Sequence, residues 1–139
     1  MSQESIVYGC IKDLSIESID SNRRRTNRDA MMSLPSADEW PYLCKEMFSL
    51  PKIEMTGDRF LTEVIHFGAS YQAIEYEWSE WMNRFEKLLE NMYWVSAVVH
   101  LETEITGVHT FSWFSKLDTH EPGADRKSIH CEWTQDKVF

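Results

Sequence analysis

The stretch HLETEITGVHTFSW, residues 100–113, gathers two histidines and two glutamates. Imidazole nitrogen and carboxylate oxygen both ligate zinc, and the same two groups exchange protons in general acid–base catalysis. Spacing decides which use is open to them. His100, Glu102 and Glu104 lie two residues apart, and on an extended strand such side chains share one face at steps of about 7 Å. That is too wide for all three to reach one ion. A metal site therefore needs two of them, His109 and a ligand from elsewhere, and no resident metal or cofactor is predicted. A cross-strand Glu104–His109 pair is easier to build, and it serves an acid–base couple or an ordinary surface pair equally well.

These residues require a hairpin to position them. Thr106-Gly107 is a usable two-residue turn, with glycine supplying the positive φ that such turns demand. With those two as the loop, Ile105 pairs with Val108, Glu104 with His109, Glu102 with Phe111 and His100 with Trp113. Alternation then places His100, Glu102, Glu104, His109, Phe111 and Trp113 on one face. The other face carries Val99, Leu101, Thr103, Ile105, Val108, Thr110, Ser112 and Phe114, the more apolar set and the predicted seat for a helix. The His/Glu face is thus expected to be helix-free. Aromatic residues inside a charged ring are a common form of protein-binding surface, with Phe111 and Trp113 as anchors and Glu102 and Glu104 as charge partners. A plain solvated face is the competing reading.

The surrounding chain supplies the scaffold. SIVYGCIKDL, residues 5–14, is apolar on both sides, as a strand inside a sheet is. The segment after it predicts a short helix over about 20–33, ended by Leu34-Pro35. SADEWPYLCKEMFSLP predicts a second short helix, capped by Asp38, with Pro41 in its first turn and Trp40, Leu43, Cys44 and Met47 at helical spacing. FLTEVIHFGASY, residues 60–71, alternates as a strand, with Gly68 marking a bulge or a close backbone approach. The strongest pattern is residues 74–94: Trp78, Trp81, Met82, Phe85, Leu88, Leu89 and Met92 recur every three or four residues, the stripe of an amphipathic helix. SIHCEW, residues 128–133, reads as a last strand at an edge. The fold class is α+β: an antiparallel sheet of four to five strands with two short helices and one long helix packed on one face. One domain spans residues 1–139, and 117–139 is expected to be a loosely attached tail.

Composition bounds the partners. A formal charge of −9 repels phosphate backbones and anionic lipids, so direct binding of nucleic acid or membrane is not expected. NRRRTNR, residues 22–28, gathers Arg23, Arg24, Arg25 and Arg28; it is read as a solvated face or an internal match for the acidic majority, with a phosphate or acidic partner as the alternative. Cys10, Cys44 and Cys131 have no paired spacing and are expected to be buried thiols in a reducing cytoplasm. The first residues lack an export signal, and nowhere do about 18 apolar residues run together. No nucleophile elbow, HExxH or phosphate-cradling glycine loop occurs, and Ser70 and Ser112 have no detectable base beside them. The protein is therefore not predicted to be an enzyme. The alternatives are a small metal-dependent or acid–base enzyme on the 100–113 hairpin, and a homo-oligomer joined through the exposed sheet face.

IHFGASYQAIEYEWSEWMNRFEKLLENMYWVSAVVHLETE, residues 65–104, with YGCIKDL near the start, resembles short bacterial proteins and is similar in kind to immunity proteins of bacterial toxin systems. The resemblance implies a cytoplasmic protein that binds and blocks one toxin and needs no catalytic residues. An acidic binder of this kind suits a basic toxin domain, because opposite charge steers encounter and carboxylates can occupy a site meant for phosphate.

Overall fold

The computed structural model of the protein describes residues 3–13, 21–36, 42–49, 63–116, 119–124 and 129–136. Six strands form one sheet in the order β2-β3-β1-β4-β5-β6: β1 (Glu4–Asp13), β2 (Phe48–Ser49), β3 (Glu63–Gln72), β4 (Ser96–Thr103), β5 (Gly107–Ser115) and β6 (Ile129–Asp136). Every neighbouring pair is antiparallel. Two α-helices, α1 (Ser21–Met32) and α2 (Trp78–Glu90), lie on one face. The α+β class and the antiparallel sheet agree with the sequence reading, while the strand and helix counts differ from it.

Alternation dictates the core. Val7 and Ile11 of β1, Ile65 and Phe67 of β3, and Ala97, Val99 and Leu101 of β4 point to the helix side and are buried. The α2 stripe meets them: Trp81, Phe85, Leu88 and Leu89 are buried, and Phe85 lies 5.3 Å from Phe67 and 5.1 Å from Trp113 between ring centres. Each of the three large buried indoles keeps a partner for its N–H, which burial requires. Trp81 donates to the Tyr71 hydroxyl, Trp94 to the Leu89 carbonyl and Trp113 to Glu86. Tyr71 in turn donates to the Tyr42 carbonyl, and burial pushes its phenol up to about 12.

α1 has no comparable apolar stripe, and polar contacts dock it instead. Arg23 grips buried Asp13 at 2.6 and 3.3 Å and lies over the Tyr93 ring. Arg24 Nε stands 3.7 Å from the buried carboxylate of Glu63. The Asn27 amide donates to the Tyr93 carbonyl and accepts from the Tyr93 N–H. Half of the arginine cluster is thereby an internal match for carboxylates on the ends of β1 and β3.

Three expectations are corrected. The second short helix is absent where residues 42–49 are described: a single 3-10 turn, Lys45–Met47, leads straight into β2, while its proposed cap and first turn at 37–41 lie outside the described residues. Gly68 sits in unbroken register between β1 and β3, so it marks no bulge; a Cβ there would meet Tyr8 Cβ at an ordinary 3.5 Å. Of the cysteines expected to be buried, Cys10 and Cys44 are only half-buried and Cys131 is exposed. Of the 117–139 segment, His120 is fully buried and bridges Trp94, and β6 pairs with β5 through eight residues. No described helix is long and apolar enough to cross a membrane.

Candidate functional site

The hairpin of β4 and β5 exists, but its register differs from the predicted one. Its loop is Glu104–Thr106, three residues, closed by Gly107 at φ 81°. Thr103 pairs with Gly107, Leu101 with His109, Val99 with Phe111 and Ala97 with Trp113. The positive φ that returns the chain into the ladder belongs to Gly107, the residue just after the loop, where glycine adopts it without strain. The Thr106 N–H also donates to Thr103 Oγ1 at 2.9 Å, which ties the loop down. His109 therefore moves three residues along β4, from Glu104 to Leu101, and an odd shift carries every β5 side chain to the other face.

The predicted site residues are accordingly split. His100 and Glu102 face the helix-free side, and Glu104 is in the loop at that side's rim. His109, Phe111 and Trp113 face the helices. Trp113 is fully buried in the core, so it cannot anchor a partner. Phe111 is half-buried, its ring 5.4 Å from Trp78 of α2. The driving force is clear, since the alternative register would expose Trp113 and bury the hydroxyls of Thr110 and Ser112.

The Glu104–His109 couple does not form. The indole N–H of Trp133 donates to His109 Nδ1 at 3.3 Å, so a neutral imidazole carries its proton on Nε2. That nitrogen lies 2.7 Å from Thr106 Oγ1, which it reaches as donor. Both nitrogens are engaged in holding the loop to β6. Among the described residues, no group of three or more His, Cys, Asp and Glu is placed to hold a metal ion.

What the tertiary structure does assemble is the helix-free face. The even-numbered residues of β1 and β4 lie on it, joined in register by Val108, Thr110, Ser112 and Phe114 of β5. Ile6, Tyr8 and Phe114 are 38%, 37% and 43% exposed, and no described element covers them. Sequence reasoning did not single out these three as exposed, because β1 reads as apolar on both sides.

One corner of this face is acidic. Glu4 and Glu102 flank Ile6, and with Glu104 and Val108 they line a shallow depression of about 330 Å³. Neighbours fix each carboxylate: Ser70 Oγ donates to Glu4 at 2.9 Å, Tyr8 to Glu102 at 3.2 Å, and the Glu4 N–H to Glu104 at 3.3 Å. Burial and the Glu102 carboxylate raise the Tyr8 phenol above its ordinary value. Tyr8 also packs on His100 at 4.9 Å between ring centres, and His100 Nδ1 is held by Thr110 Oγ1 at 2.9 Å. Lys12 stands at the far end of β1, away from these carboxylates. The result is a pre-ordered anionic rim around an apolar floor.

Comparison with protein-family models, curated proteins and solved structures finds no match to this chain.

Proposed function

We propose that the protein is a non-catalytic binding module of immunity type, acting in the cytoplasm and capturing a basic toxin domain on the helix-free face of its sheet. The observation that carries this reading is the corner where Glu4, Glu102 and Glu104 surround Ile6 and Val108. A lysine or arginine side chain fits such a corner, with its methylene stem on the apolar floor and its charge among carboxylates. Tyr8 and Phe114, exposed on the same face, supply apolar contact area beside it. The formal charge of −9 adds long-range attraction for a basic partner. The resemblance of residues 65–104 to immunity proteins supplies the biological class, and the engagement of both His109 nitrogens favours binding over acid–base chemistry on this hairpin.

The test begins with affinity capture of the tagged chain from its source cells, followed by binding kinetics with the protein retained. Reversing Glu102 and Glu104 together to lysine should cut the association rate about tenfold at low salt. Tyr8→Ala should act on the dissociation rate instead. An acidic partner, or wild-type kinetics in both variants, removes this face from the interaction.

A further inference from the structure

Among the described residues the sheet ends at β6, and β6 carries few of the devices that blunt an edge, its charges being Glu132 and Asp136. It runs for eight residues in unbroken register with β5, without bulge, proline or lysine in IHCEWTQD. Such features keep an edge from templating another chain, and among the described residues none pairs with the outer row of backbone N–H and C=O groups of β6. Residues 130–135 are all exposed. Trp133 adds a ring that is 59% exposed, stacked at 6.3 Å on Phe111 and 5.9 Å on His109.

We propose that β6 pairs antiparallel with β6 of a second copy of this chain, about a two-fold axis at Cys131, joining two six-stranded sheets into one. The self-complementary pattern of His130 with the carboxylates of β6 argues for a second copy, and the full set of facing pairs argues for the register. Around such an axis, residues equally spaced on either side of the centre face one another on the same side of the sheet. Centring on Glu132 opposes two carboxylates, which is unfavourable. Centring on Trp133 sets Glu132 against the partner's Thr134, moves the His130 match out to the partner's Asp136 at the last residue of the strand, and places Cys131 against the partner's Gln135. Centring on Cys131 sets His130 against the partner's Glu132, and Ile129 against the partner's Trp133, each twice by symmetry. His130 already stands 3.3 Å from Glu132 within one chain, so the four groups alternate across the axis. The exposed indole gains an apolar neighbour.

The formal charge of −9 on each chain opposes this contact at long range, so added salt should strengthen it. Light scattering of the full chain under reducing conditions, up to about 100 μM, should read a mass rising towards two chains, more readily at high salt. His130→Glu places carboxylates against carboxylates and should return the mass to one chain, with an unchanged circular dichroism spectrum. Adding Glu132→Lys to that variant should restore the pair. Diamide should cross-link the wild-type dimer, as two facing Cys131 thiols give up two electrons and two protons to form the S–S bond, and should fail with Cys131→Ser. A single-chain mass throughout, a dimer indifferent to His130→Glu, or a dimer that Cys131 does not cross-link would each overturn the proposal.

Discussion

Trp113 changes meaning entirely with the side of the sheet it occupies. Buried against Phe85, with its N–H on Glu86 at 3.4 Å, it is a core residue, and Trp113→Ala should cost about 3–5 kcal/mol. Urea denaturation measures this, and a wild-type midpoint would contradict the buried placement. Glu63 shows the opposite case, a charge that burial makes expensive. Burial raises its carboxyl, and Asp13 adds to the effect against the lowering influence of Arg24 and Arg28. The native state therefore holds the proton to a higher pH than the unfolded chain does. Stability falls as pH rises from the ordinary glutamate value through the raised one, because the native form binds more protons across that window. Glu63→Gln should lose this slope. In melting curves at about pH 4.5 and about pH 7.5, the variant should gain on the wild type at the higher pH by a few degrees. Parallel pH profiles for the two proteins would refute it.

Elements with strong periodicity were legible without the structure. The α2 stripe, the two-sided apolar character of β1 and the alternation of β3 each reflect a repeat that local geometry imposes on side-chain direction. β2 was not legible, because a two-residue strand has no period to read. The hairpin register is a different matter, since the necessary signal was present. His109, Phe111 and Trp113 alternate with Thr110 and Ser112, just as Ala97, Val99 and Leu101 alternate with Val98 and His100. Setting the large apolar residues face to face requires a loop of odd length, which excludes the two-residue turn. Close packing between strands yields a further test. A Cβ on Gly9 would lie 1.9 Å from the Val98 carbonyl oxygen and 2.9 Å from Phe67. The clash is with the backbone of the adjoining central strand, which has nowhere to retreat. Gly9→Ala should lower stability by about 3 kcal/mol or more, read as lost soluble yield and an earlier urea midpoint.

At the scale of the whole molecule, charge gives the two proposed contacts opposite dependence on salt. Capture of a basic partner relies on attraction, so raising salt from about 50 mM to about 500 mM should slow association roughly tenfold while leaving dissociation nearly unchanged. Self-pairing through β6 works against like charge and should tighten over the same range. Measured on one preparation, the two trends separate the surfaces: one follows Glu102 and Glu104, the other His130 and Glu132.

The sequence by itself determined the α+β class, the amphipathic helix, the two-sided apolar character of β1, the alternation of β3, and an acidic net charge. Each of these follows from composition or from a repeat within a single element. The tertiary structure alone decided that Arg23 and Arg24 are matched to Asp13 and Glu63, that Trp113 is core, and that Glu4 joins Glu102 and Glu104 at one corner. Those are relations between elements distant in the chain. They are set by which register and docking bury the most apolar surface while leaving the fewest polar groups unpaired, a balance that no single window of sequence contains.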